Sequence, residues 1–117
     1  MLKVGIPVLA SLNEEETAKF YTEKLGFTFY SGWDGYLIFG RDEIFIHLWP
    51  CDNVEIAKNT GCYVVVTEVD KLFAEYEPMG IIHPDGSLKD RPWKMREFSI
   101  ADNNGNLIHF GEDISGE

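Results

Sequence analysis

Residues 91–112 read Arg91-Pro-Trp-Lys-Met-Arg-Glu-Phe-Ser-Ile-Ala-Asp-Asn-Asn-Gly-Asn-Leu-Ile-His-Phe-Gly-Glu112. Phe98 and Ile100 alternate with polar neighbours, the Asp102-Asn-Asn-Gly105 cluster tolerates positive φ, and Leu107, Ile108 and Phe110 follow. That order predicts a hairpin, with strands over residues 94–101 and 106–111.

Working outward, a strand over residues 62–67 and a helix from Val69 to Met79 precede the hairpin, with Leu72, Phe73 and Tyr76 apolar and Gly80 as the stop. A weak strand is expected at Ile81–His83, and polar residues 84–92, with a Gly and two prolines, read as a surface loop. The first half has the same order. Residues 3–10 form a strand, and Asn13 caps a helix whose first turn holds Glu14, Glu15 and Glu16. Ala18, Phe20, Tyr21 and Leu25 then recur at helical spacing before Gly26. Strands follow at 27–30, 35–39 and 44–49, separated by turns at 31–35 and 40–43, and residues 50–60 join the halves. Lys24-Leu-Gly-Phe27 echoes Pro78-Met-Gly-Ile81, and Phe45-Ile-His-Leu48 echoes Leu107-Ile-His-Phe110. Two βαβββ modules are the reading, set against a chance echo of helix-Gly-strand order.

Side chains alternate along a strand, so Ile44, Ile46 and Leu48 share one face while Glu43, Phe45, His47 and Trp49 share the other. The aliphatic face suits packing on a helix. The second face suits the concave side of a sheet. By the repeat, His109 points to that side and Ile108 and Phe110 to the core. Each histidine has a plainer reading as a half-buried residue satisfied by a hydrogen bond.

At 117 residues and 44% hydrophobic content, one buried core is expected, hence a single domain spanning 1–117. No basic n-region or long apolar run appears, which makes a cytoplasmic protein without a membrane partner the default. Cys51 and Cys62 match no zinc spacing and are expected to be unlinked. Twenty acidic against ten basic residues give a net charge of -10, which argues against nucleic acid because phosphate binding runs on Lys and Arg. The acidity suits a cationic ligand, or it serves solubility alone. No serine lies in a nucleophile elbow, no glycine-rich phosphate loop occurs, and neither cysteine carries a protease signature.

The closing block, together with Ile6-Pro-Val-Leu9, Phe20-Tyr-Thr-Glu-Lys-Leu-Gly-Phe27 and the Arg41-Asp-Glu43 turn, resembles the bleomycin-resistance branch of the glyoxalase (vicinal oxygen chelate) superfamily from Ile6 to Glu112. The resemblance implies an α+β fold of two tandem βαβββ modules, roughly residues 3–50 and 61–112, in a curved, cup-like mixed sheet. It also implies a homodimer in which the first strand crosses to the partner around its proline, here Pro7. The superfamily's enzymes hold a divalent metal with four side chains, one each from the first, fourth, fifth and eighth strands. Those positions here read Ile6 or Pro7, His47, Gly61 or Cys62, and His109. His47 and His109 remain as plausible ligands, too few for a catalytic centre, so no metal, cofactor or catalytic residue is expected.

What the resemblance implies instead is sequestration of a bleomycin-type glycopeptide antibiotic, which offers a flat bithiazole, a cationic tail and a metal-chelating head. Trp93 and Tyr36 fall where the family places its stacking aromatics, and Trp33, Trp49, Phe45, His47 and His109 are expected to line the cavity. Asp34 and Glu112 are the candidate carboxylates for the cationic tail. Trp93 has a plainer role as a lid on the core, and Arg96 and Glu97 are expected to pair within the sheet. Two alternatives stand beside this reading: a metal-dependent lyase, isomerase or dioxygenase of the superfamily, and a binder of another planar cationic compound.

Overall fold

The computed structural model describes residues 1–116. The described chain divides into two compact units, residues 1–60 with 103–106, and residues 61–102 with 107–116.

In the first unit, β1 (Val8–Ser11), β2 (Thr28–Trp33), β3 (Tyr36–Arg41) and β4 (Ile44–Pro50) form a mixed sheet in the order β1-β4-β3-β2, with β1 parallel to β4. Helix α1 (Glu14–Glu23) covers one face. Its start is written as expected: Asn13 Oδ1 accepts the Glu16 N–H at 3.0 Å, and three glutamates lie in the positive first turn. From α1, Tyr21 stacks on Phe39 at 5.1 Å, and Leu9, Leu25, Phe27, Leu37, Ile46 and Leu48 complete a buried core. The β2–β3 connection is two residues, Asp34 and Gly35, both at positive φ (48° and 85°). This is the backbone that matches strand twist in a tight hairpin.

In the second unit, β5 (Gly61–Val65), β6 (Lys89–Asp90), β7 (Met95–Ala101) and β8 (Leu107–Asp113) form a sheet in the order β5-β8-β7-β6. Helix α3 (Val69–Tyr76) and a short 3-10 turn (Glu77–Met79), ended by Gly80 at φ 72°, contribute Val69, Phe73 and Tyr76 to a core with Phe98, Ile100, Ile108 and Phe110. Phe98 stacks on Phe110 at 5.2 Å. The repeat holds at the level of register. Val8 and Ile38 flank His47 in one sheet, and Tyr63 and Ser99 flank His109 in the other.

Four expectations need correction. Strand β1 covers Val8–Ser11 and not residues 3–10; among the described residues, the ladder to β4 extends before Val8 only through the bond from His47 N to Pro7 O (3.0 Å). Residues 50–60 contain a helix, α2 (Val54–Lys58), whose five residues are too few to show a period. Ile81–His83 makes only an isolated bridge, Ile82 to Ile100, and the strand beside β7 is β6, inside the expected loop. Arg96 and Glu97 do not bind each other: Arg96 takes Asp90 on β6 (3.0 Å) and Asp70 on α3 (2.9 Å), while Glu97 is buried on the opposite face. Neighbours in a strand point to opposite sides.

Candidate functional site

On the first sheet, the face away from α1 is lined with rings. Along β4, Ile46 and Leu48 are buried, whereas Phe45, His47 and Trp49 turn outward, as the alternation predicts. Tyr36 on β3 holds His47: its hydroxyl is 2.9 Å from Nδ1 and the rings meet edge to face at 5.5 Å. Tyr30 on β2 meets Phe45 at 5.3 Å, above Gly40, where a Cβ would press on both rings. Glycine at that point is what lets two aromatics rest on the sheet. Trp33 is 81% exposed at the end of β2, beside Tyr36 in the register. Asp34 is also exposed, in the hairpin turn whose backbone it helps to set.

The second sheet has its own outward face. Trp93 is 60% exposed at the tip of the β6–β7 hairpin, where Lys94 N bonds Arg91 O (3.0 Å) and Arg91 N bonds Met95 O (2.8 Å). Pro92 occupies the second turn position, which its fixed φ suits, and Lys94 takes φ 66°. The indole N–H points to Glu97 Oε2 at 3.4 Å, and the Arg91 guanidinium lies 5.9 Å from the ring centre. The same Oε2 accepts the Tyr63 hydroxyl at 2.6 Å. Burial, then the hydrogen bond and charge of Glu97, push the Tyr63 phenol up to about 12. His109 stacks beside Tyr63 at 6.1 Å, and its Nδ1 is 2.6 Å from Ser99 Oγ.

Glu112 is engaged locally. Helix α3 begins after Glu68 at φ 55° with no cap from its own side chain, and Glu112 Oε1 accepts the Val69 N–H at 3.0 Å instead. A strand carboxylate thus serves the positive end of the helix.

Within the first unit the structure brings Tyr36, Trp33, Phe45, His47 and Trp49 onto one sheet, with Asp34 in its hairpin; within the second it brings Trp93 and His109 onto one face. Sequence reading passed over Tyr30, Tyr63 and the role of Glu97. The repeat carried a signal for Tyr63, which takes the position opposite His109 that Val8 takes opposite His47.

The residues do not fit the metal quartet of the superfamily's enzymes. By register, Val8 and not Ile6 or Pro7 stands beside His47, and Tyr63 and not Gly61 or Cys62 stands beside His109. Val8 has no donor atom, and the Tyr63 hydroxyl is committed to Glu97. Among the described residues no group of three or more His, Cys, Asp or Glu side chains is placed to hold a metal ion. Both cysteines carry free thiols, and burial together with Asp102 pushes that of Cys62 up to about 11.

Residues 13–110 match the family model described as the Glyoxalase/Bleomycin resistance protein/Dioxygenase superfamily. Bleomycin resistance proteins of Geobacillus stearothermophilus and Staphylococcus aureus are 34% identical over 127 aligned residues, covering 94% of this chain and 96% of their own. Among solved structures, the bleomycin-binding protein of bleomycin-producing Streptomyces verticillus, complexed with copper(II)-bleomycin, superposes with a TM-score of 0.81 at 26% identity over 94% of this chain and 97% of that one. The bleomycin resistance determinant of transposon Tn5 shares the fold, with a TM-score of 0.84 at 18% identity over 96% and 98% of the two chains. With its family model spanning most of the sequence and its relatives matched nearly end to end, the chain belongs to the glyoxalase/bleomycin resistance protein/dioxygenase superfamily.

Proposed function

We propose that this chain is a single-domain, non-enzymatic binding protein that sequesters a bleomycin-type glycopeptide antibiotic and so confers resistance to it. The observation that carries the reading is its near-full-length kinship with proteins named for bleomycin resistance. The exposed rings supply matching chemistry. Trp93 of the second unit and Tyr36 of the first are the proposed stacking residues for the flat bithiazole, and Trp33, Trp49, Phe45, His47 and His109 are the further proposed ligand contacts. Asp34 and the acidic field of a chain with net charge -10 favour the cationic tail, and Glu112 adds to that field while it caps α3. Val8, beside His47 in the register, offers no donor atom, and the Tyr63 hydroxyl beside His109 is committed to Glu97, a chemistry that suits binding better than metal catalysis.

In this proposal the working form is a cytoplasmic homodimer with strands exchanged about Pro7. The exposed Leu2, Val4, Ile6 and Val8 at and before β1 support that part, as an apolar segment in search of cover. No helix among the described residues is long and apolar enough to cross a membrane. Titration with metal-free bleomycin, followed by tryptophan emission and by heat, tests the ligand. Saturable quenching with measurable heat at micromolar ligand is expected. Silence in both channels rejects bleomycin as the guest.

A further inference from the structure

Tyr63 begins on β5, yet its hydroxyl reaches Glu97 on β7, two strands away. The strand between is β8, and the residue it presents there is Gly111, paired with Val65 on one side and Glu97 on the other. A Cβ at Gly111 would collide with the phenol oxygen and ring of Tyr63. The glycine therefore lets the ring lie across the sheet face, where it remains 44% exposed although its polar end is fixed. Trp93 is tied in the same way. It comes from the β6–β7 turn, is more exposed still, and aims its indole N–H at the same Glu97 oxygen through a longer bond.

The other carboxylate oxygen faces Arg91. Arg91 Nε lies 3.4 Å from Oε1 as an ion pair, without the alignment of a hydrogen bond. Glu97 itself is buried, and both flat rings stand over it. Two exposed aromatics whose polar tips converge on one buried oxygen lose little further freedom when a planar guest stacks on them.

We propose that Tyr63 is a ligand-contacting residue acting as a pair with Trp93, and that Glu97, whose Oε2 receives both rings' donors, is the positioning residue of that pair. This rests on the sequestration reading for its ligand, a conjugated planar ring system that carries a cationic tail. The charge of Glu97 is answered by Arg91, so the pair works by stacking, and the carboxylate works through the two rings.

The test joins a ligand-free measurement to a binding one. In a proton–nitrogen correlation spectrum, the indole resonance lost in Trp93→Phe identifies Trp93. Glu97→Gln is expected to shift that resonance and speed its exchange with solvent, and to bring the Tyr63 phenol back toward its ordinary ionisation. A bystander Glu97 would leave both unmoved, and that result overturns its role. Against metal-free bleomycin, Tyr63→Ala is expected to weaken binding roughly tenfold or more and Glu97→Gln several-fold, within the usual range for central contacts. Wild-type affinity in Tyr63→Ala overturns the contact while the sequestration reading stands. Failure of the unaltered protein to bind bleomycin overturns that reading and the contact together, and leaves the resonance to judge Glu97 alone. Should Glu97→Gln not fold, Tyr63→Phe deletes one donor and keeps the ring: a shifted Trp93 resonance supports the shared oxygen, and an unmoved one overturns it.

Discussion

Trp93 owes its exposure to the turn that carries it. Pro92 fixes φ at the second turn position, Lys94 takes the left-handed conformation, and the indole between them is exposed, held by its N–H to Glu97 and by the nearby Arg91 guanidinium. A ring so placed contributes little to the core, which separates its effects on binding and on folding. Trp93→Ala is therefore expected to weaken bleomycin binding by about 1–3 kcal/mol, the range for a central aromatic contact. Calorimetric titration measures the loss, and a denaturant curve on the same variant should stay close to wild type. Tyr63 gives a pH signature. Its phenol is raised from 10.0 to about 12 in the folded chain, by burial first and by Glu97 second, so the native state holds that proton more tightly than the unfolded state does. The resulting stability is complete below pH 10 and is lost as pH rises from about 10 through 12. Urea midpoints across that window are expected to fall more steeply for the wild type than for Tyr63→Phe.

At the scale of elements, the turn at residues 103–106 is more than a connection between β7 and β8. It belongs to the compact unit of the first sheet, and its side chains bond the backbone there. Asn106, fully buried, donates from Nδ2 to Ala10 O at 2.7 Å and accepts the Ala10 N–H at 3.3 Å, as a neighbouring strand would. Thr60 Oγ1 donates to the same Asn106 oxygen, and Asn104 Oδ1 accepts the Leu12 N–H at 2.8 Å. One side of the edge strand β1 is thus closed by an amide side chain. Asn106→Ala leaves Ala10 and Thr60 without those partners, and a loss of about 1–3 kcal/mol in chemical denaturation is expected, the penalty for stranded buried polar groups. Asn106→Asp should be no rescue, since a carboxylate cannot donate to Ala10 O. The hairpin itself was legible because alternation and turn residues are local signals. So were the outward turn of His47 and His109 and the cap at Asn13. What sequence reading missed depends on partners far along the chain. Lys89–Asp90 is a two-residue polar strand with no pattern of its own, although Pro92 at the turn was a visible hint. The cap that Glu112 gives α3 and the reach of Tyr63 over Gly111 exist only once β5, β7 and β8 lie side by side.

The whole molecule sets charge and association. With twenty acidic and ten basic residues, the chain repels copies of itself at long range and attracts cations, and salt screens both over about 8–10 Å at physiological strength. A self-association that persists against this repulsion must rest on apolar cover. Residues 1–8 offer it: Leu2, Val4, Ile6 and Val8 are exposed, and before β1 the backbone meets β4 through the bond from His47 N to Pro7 O. In the proposed homodimer such a segment would lie against a second copy, with Pro7 as the bend, and a two-fold arrangement would let each copy return the same contact. Sedimentation at micromolar concentration is accordingly expected to give a dimer that added salt leaves intact or tightens. Removal of residues 2–6 should shift it toward monomer while the folded spectrum is retained. A wild-type chain that sediments as a monomer at every salt concentration would remove the exchange about Pro7 and oblige each copy to hold its ligand with its own rings alone.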